Sequence, residues 1–193
     1  MGGIFHFRIR IMPGEKYSRK WTGTRTDCLP RTSTSTELDG DHMFFIKFNK
    51  EPIEYPYDDS SVQAASGRLQ LGDSVEDFLA NLSLWSKADY ELHWSRELQA
   101  LVEGASKIAL VVSYDDPKAS SNLEIWRVYR DGELAYFQNQ LPWYSDLPHD
   151  LEISKMSEYI QDRLVINADG ERYSEWDVPI RDVEAFLSYA TIS

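Results

Sequence analysis

The side chains with the chemistry to catalyse are few, and their spacing does not assemble a reaction centre. Asp58-Asp59 and Asp115-Asp116 are paired carboxylates, the raw material of general acid–base work, but each pair adjoins a serine or a proline in a turn-rich stretch, where adjacent acids stay solvated. Asn167, Asp169, Gly170 and Glu175 carry a trace of a calcium loop, yet the oxygen ligands needed at its first and last positions are missing or misplaced. That stretch is read as a hairpin turn. Four scattered histidines (His6, His42, His93, His149) and the lone Cys28 offer no metal-ligand spacing and no intramolecular disulfide. With no phosphate-binding glycine loop, no Gly-x-Ser-x-Gly elbow and no Cys–His pair in context, the sequence predicts no catalytic residue, no cofactor and no metal.

What is left is recognition chemistry. Aromatics are interleaved with acids in three places: Trp143, Tyr144, Asp146 and Asp150; Asp115 and Asp116; and Glu54, Tyr55, Tyr57, Asp58 and Asp59. Protein interfaces are anchored by a few aromatic side chains and ringed by charges that steer encounter, so these segments form the candidate contact surface. His93 lies off the apolar stripe of its helix and is read as a surface or boundary histidine rather than a pH-sensitive contact.

A strongly signalled helix must position much of this. Ser86 and Asp89 have the spacing of a capping box, Tyr90, Trp94, Leu98, Leu101 and Val102 recur at the helical period, and Gly104 is the stop. Downstream, Ile108 to Tyr114 is a strand, and Asp131-Gly132 joins Leu123 to Arg130 with Leu134 to Asn139 as a hairpin. Trp126 and Tyr129 with Ile125 and Val128 require either a bulge or a sheet covered on both sides. Residues 141–150 are a loop that exposes aromatics, Ser154 to Arg163 is helix-like, and Leu164 to Ile166 with Arg172 to Val178 forms a second hairpin. A last helix carries Ile180, Val183, Phe186, Leu187 and Ala190 on one face.

Upstream, Phe5 to Ile11 alternates as a strand, residues 16–41 are read as loop or disorder, and Met43 to Phe48 opens a dense apolar strand. Glu51 to Ser66 is read as a loop because of Pro52 and Pro56, Arg68 to Leu71 as a short strand, and Val75 to Leu82 as a connector. The fold class is therefore α+β: an antiparallel sheet with hairpins, covered on one face, packed against a central helix and a C-terminal helix.

Charge divides the chain. Residues 1–42 hold seven Lys or Arg against five acids, a net of +2, while residues 43–193 hold thirteen against twenty-seven, a net of −14. So negative a domain repels nucleic acid and anionic membranes and suits a basic protein partner. No signal peptide and no spanning apolar run is seen, so a cytosolic location is expected.

One ordered set of residues also resembles a known family. Leu82-Ser83-Leu84-Trp85-Ser86, Asp89-Tyr90, Trp94 and Leu98, then Trp126, Tyr129 and Arg130, Gln138-Asn139, Asp169-Gly170 and Ser174-Glu175-Trp176 resemble the immunity proteins of bacterial contact-dependent growth inhibition systems. The departures are Leu84, where an aromatic is expected, and Pro179, where a hydroxyl cap on the last helix is expected. The resemblance covers residues 43–193 and implies a non-catalytic inhibitor that binds the C-terminal toxin domain of a cognate effector, many such toxins being nucleases with basic sites. It implies structural roles for the signature residues Trp85, Asp89, Tyr90, Trp94, Trp126, Tyr129, Arg130, Gln138, Asn139, Glu175 and Trp176. Residues 1–42 are then an extension or an over-long start. The rival readings are a small hydrolase using paired carboxylates and an adaptor in a larger assembly.

Overall fold

Alternation builds the first sheet. Phe44, Ile46 and Phe48 alternate with Phe45 and Lys47, and in the computed structural model, which describes residues 44–49, 51–57, 60–167 and 170–190, they form β1 (Phe44–Phe48). β1 pairs antiparallel with one half of β3 (Ser60–Leu71), from Phe44 opposite Leu71 to Phe48 opposite Gly67. β2 (Ile53–Tyr57) pairs with the other half, from Ile53 opposite Ala64 to Tyr57 opposite Ser60. β4 (Ser74–Asn81) pairs with β3 from Leu71 back to Ala64.

The strand expected at Arg68 to Leu71 is there as the end of the longer β3, while the loop expected over Glu51 to Ser66 and the connector at Val75 to Leu82 are corrected to paired strands. The prolines misled because they do favour extended backbone, and an edge strand tolerates a residue with no N–H to donate. The expected strand at Phe5 to Ile11 and the loop at 16–41 lie outside the described residues.

The second sheet runs β5 (Lys107–Ser113), β6 (Glu124–Asp131), β7 (Leu134–Gln140) and β8 (Trp176–Pro179), in that order and antiparallel throughout. The β6–β7 hairpin turns at Asp131-Gly132, with Gly132 at φ 59°, a left-handed conformation that glycine adopts without steric cost. The second expected hairpin forms at its tip, where Ile166 bridges Arg172, Asn167 N donates to Glu171 O at 2.8 Å and Tyr173 N donates to Val165 O at 3.0 Å, but it is corrected farther along, where Trp176 to Val178 pair with β7 instead. The helix expected at Ser154 to Arg163 shrinks to a 3-10 turn, Ile153–Lys155, and the single turn α2 (Met156–Tyr159). Its apolar side chains Ile153, Met156 and Ile160 are buried, but the backbone is already extended at Ile160 (ψ 142°).

This sheet is covered on both faces, which corrects the one-faced arrangement expected. Ile125, Trp126, Val128 and Tyr129 are all buried and the β6–β7 register has no shift, so β6 itself needs no bulge; the irregularity in its other ladder falls in β5, between Val111 and Ser113. On one face Phe137 meets the first sheet and α3 (Ile180–Ala190): the Phe44 ring lies 5.4 Å from Phe137 and 5.5 Å from Phe186. Over the other runs the segment 153–166, where Gln161 O accepts from Tyr129 Oη at 3.2 Å and Leu164 O accepts from Gln138 Nε2 at 2.8 Å.

The central helix α1 (Lys87–Val102) begins on the capping box at Ser86 and Asp89, both halves of which form, and Gly104 follows it at φ 113°. Tyr90, Trp94, Leu98 and Leu101 are buried as their spacing predicts, but so is His93, 6% exposed and contrary to expectation. The reason is the outward edge of β5, the last strand of its sheet. Trp94 Nε1 donates to Val111 O at 2.7 Å, Ala109 N donates to Ser157 Oγ at 2.7 Å, and His93 Nε2 lies 3.0 Å from Ala109 O and 3.2 Å from Val111 N. Side chains replace the missing neighbour strand, because buried backbone groups left unpaired are costly. α3 starts directly after Pro179, and Ile180 N donates to Glu133 O at 2.9 Å where a hydroxyl cap was expected.

Two outcomes follow from this packing. A Cβ on Gly67 would fall within the ring of Phe78, its cross-strand neighbour, so Gly67→Ala is expected to cost about 1–3 kcal/mol in chemical denaturation. Adding Phe78→Leu should recover part of that loss. Burial pushes the His93 pKa down from 6.5 to about 4, so the fold favours the neutral ring. Its contribution is intact above pH 6.5 and is lost as pH falls from there through about 4. Replacing His93 with Gln should flatten the stability profile across that window, measured by urea unfolding at successive pH values.

Candidate protein-binding surface

β4 and β5 belong to different sheets but end side by side, and short polar side chains join their ends. Asn81 N donates to Ser113 Oγ at 3.3 Å and Asn81 Nδ2 donates to Asp115 Oδ1 at 2.6 Å. Tyr90, from the first turns of α1, donates its hydroxyl to Asn81 O at 2.8 Å and accepts from Tyr114 N at 2.9 Å. Burial holds that phenol well above its ordinary value, so it stays a neutral donor and acceptor.

The candidate segments hang on this joint. Tyr144 Oη donates to Asp115 O at 2.7 Å, Tyr144 N donates to Ser121 O at 3.0 Å, and Asn122 bridges Trp143, which makes residues 114–123 and 141–147 one unit. Tyr144 is half-buried and acts as a fastener, with its phenol likewise raised by burial. Trp143 is 49% exposed and free to anchor a partner. Asp116 is exposed, its Oδ1 accepting from Lys118 N at 2.9 Å, and Asp146 is exposed in a 3-10 turn, Tyr144–Asp146. Asp150 is exposed farther along the same segment.

The structure therefore brings together Asp115, Asp116, Trp143, Tyr144 and Asp146. The root of the β2–β3 hairpin joins them, since Ala64 is paired with Asn81. Tyr57 closes β2 opposite Ser60, whereas Asp58 and Asp59 lie outside the described residues. Asn81 and Ser113, which make the joint, escaped the sequence reading because a short polar residue at a strand end has no periodic signature.

The signature residues have structural contacts throughout. The Trp85 ring sits 5.1 Å from Tyr90, 5.3 Å from His93 and 5.7 Å from Tyr114, and Asp89 caps α1. Arg130 Nη1 donates to the carbonyls of Leu101 and Val102, both at 2.8 Å, closing the other end of that helix. Gln138 Nε2 donates to Glu175 Oε2 at 2.8 Å, and Arg163 grips both oxygens of Glu175 at 2.8 and 2.6 Å while its guanidinium stacks 3.5 Å above the Tyr136 ring. That guanidinium holds the Glu175 carboxyl below the usual carboxylate range. Asn139 Nδ2 donates to Glu124 Oε1 at 3.4 Å, and Trp126 packs 5.4 Å from Trp176. Among the described residues no three His, Cys, Asp or Glu side chains gather as a metal site.

The chain is similar to known proteins in sequence and in fold. Residues 80–186 match the family model described as the CdiI N-terminal domain. The chain is 26% identical over 144 residues to "Immunity protein CdiI" of Enterobacter cloacae subsp. cloacae, covering 75% of this chain and 96% of that protein. Its fold matches a chain of the "CdiA-CT/CdiI toxin and immunity complex from Enterobacter cloacae" with a TM-score of 0.69 at 23% identity, covering 78% of this chain and 100% of that one.

The joint is testable through Tyr90. Tyr90→Phe leaves the ring packing intact but strips a partner from Asn81 O and from Tyr114 N, and it is expected to cost about 1–3 kcal/mol in chemical unfolding. Amide exchange around Tyr114 should rise in the same variant, because the hydroxyl is what holds that turn.

Proposed function

The chain belongs to the CdiI N-terminal domain family, and from that membership we propose that it is an immunity protein, which binds the C-terminal toxin domain of its cognate contact-dependent growth inhibition effector and neutralises it without catalysing a reaction. The carrying observation is the family match over residues 80–186, which spans α1 and the whole second sheet and includes all of the signature residues. The relative named as an immunity protein and the solved toxin and immunity complex support the same reading.

In this reading residues 43–193 are the binding domain, residues 1–42 are an extension, and the protein acts in the cytoplasm. No helix of the described residues is long and apolar enough to cross a membrane. The partner is a basic toxin domain, in keeping with the net charge of −14 that thirteen Lys or Arg against twenty-seven acids give residues 43–193. A nuclease fits, since a site that binds phosphate is basic. Exposed Asp116, Asp146 and Asp150 steer the encounter, and Trp143 supplies an apolar anchor among them.

Co-expression with the toxin domain encoded beside this chain tests the proposal, and the two should purify together with the host cells protected. Raising salt from low to physiological strength should slow association by about tenfold or more and change dissociation far less. Asp146→Lys with Asp150→Lys should leave the melting temperature nearly unchanged, because exposed substitutions shift stability by only about half a kcal/mol, and should weaken protection. No co-purification would overturn the immunity reading; salt-independent association with full protection by the doubly reversed variant would remove this loop from the interface.

A further inference from the structure

The β2–β3 hairpin reverses the inside-out pattern of the sheet that carries it. In the body of the sheet the apolar residues Phe44 and Ile46 face the core and pair with Leu71 and Leu69, while the opposite face carries Lys47, Arg68 and Asp77. β4 stops at Asn81 opposite Ala64, so beyond Ala64 the hairpin is a two-stranded arm with no third strand beside it among the described residues. There the apolar residues change sides. Ile53 and Tyr55, 49% and 43% exposed, share a face with Val62 through the pairs Ile53–Ala64 and Tyr55–Val62, while Glu54 and Gln63 take the face that is apolar in the body. Side chains alternate strictly along a strand, so this is a separate apolar face and not an overflow of the core.

That face continues into the acidic loops. Asn81 lies opposite Ala64 and so shares its face, and its Nδ2 donates to Asp115. From Glu51 to Gly67 the sequence holds four acids and no Lys or Arg. Pro56 removes an N–H donor from β2 and Pro52 another just before it, which blunts the strand against pairing with another strand and leaves recognition to side chains. A two-stranded hairpin is marginal by itself in water, so an arm with an apolar face is stabilised by what it docks on.

Resting on the immunity reading, we propose that the arm is the apolar anchor of the toxin interface: Ile53, Tyr55 and Val62 insert into an apolar hollow on the toxin domain whose rim is basic, and the acids around the arm and at Asp115-Asp116 meet that rim. The arm governs how long the complex lasts, and the exposed acids of the 141–150 segment govern how fast it forms.

The test uses the full chain and the toxin domain encoded beside it. Ile53→Ser with Tyr55→Ser should weaken binding by about tenfold or more, through faster dissociation at an unchanged salt dependence, with the melting temperature of the free protein preserved. Wild-type affinity in a folded double variant would overturn the proposal. Hydrogen exchange on the unaltered chain decides the matter even if the variant does not fold: amides of 53–57 and 60–64 should exchange fast in the free protein and become protected on adding the toxin domain. Protection already present in the free protein would give the face to another part of this chain, or to a second copy if light scattering shows a dimer, and would overturn the proposal. So would arm amides that stay unprotected in the complex. Failure of the unaltered chain to bind the toxin domain at all would instead defeat the immunity reading, which separates the two.

Discussion

Strand β5 ends its sheet, yet its outer edge is buried, so Ala109 and Val111 must bond to something other than a strand. That constraint sets the place of α1. Trp94 reaches the Val111 carbonyl, His93 lies between Ala109 O and Val111 N, and Ser157 accepts from Ala109 N while donating to Glu97 of the same helix. The helix is thereby locked in rotation and in height, because moving one residue along it would break all of these bonds at once. Its ends are fixed separately, by Tyr90 at the junction of β4 and β5 and by Arg130 on the Leu101 and Val102 carbonyls. The aromatic cluster of Phe48, Phe78 and Trp94 then packs the first sheet onto a helix that is already held, with ring centroids 5.0 to 6.0 Å apart.

A rigid joint of this kind suits a protein whose work is to present a surface. The loops at Asp115 and Trp143 leave the ends of strands held from both sides, so little ordering entropy remains to oppose binding. The acids divide into two groups by burial. Glu97 and Glu124 are raised by burial and tied to Ser157 and Asn139, which gives them internal partners, whereas Asp116, Asp146 and Asp150 are exposed and free to act at a distance. Family members can vary that exposed set without disturbing the joint, since none of the three pairs into it through a carboxylate.

The central helix, its cap and its stop were legible because their signals are local: Ser86 with Asp89, the recurrence of Tyr90, Trp94, Leu98 and Leu101, and Gly104 all lie within one run. The Asp131-Gly132 hairpin was legible for the same reason, and so was the ordered signature behind the family assignment. The candidate segments at Asp115 and Trp143 stand out by composition, but nothing in the sequence places them side by side.

Sequence by itself determined the fold class, the family, the acidic character of residues 43–193 and the helical phase of α1, all of which follow from neighbouring residues or from ordered types along the chain. Only the tertiary structure decided the rest. It turned most of the stretch from Glu51 to Ser66 into strands, because the β2–β3 and β3–β4 ladders outweigh its turn-rich, proline-marked composition. It buried His93, because an unpaired strand edge needed a polar side chain. It covered both faces of the second sheet, and it joined Ala64, Asn81, Asp115 and Tyr144 into one cluster. Apart from the β2–β3 and β3–β4 hairpins, whose strands are neighbours in the chain, these outcomes depend on residues far apart in sequence, and hydrogen bonds between distant residues leave no period and no spacing from which they can be read.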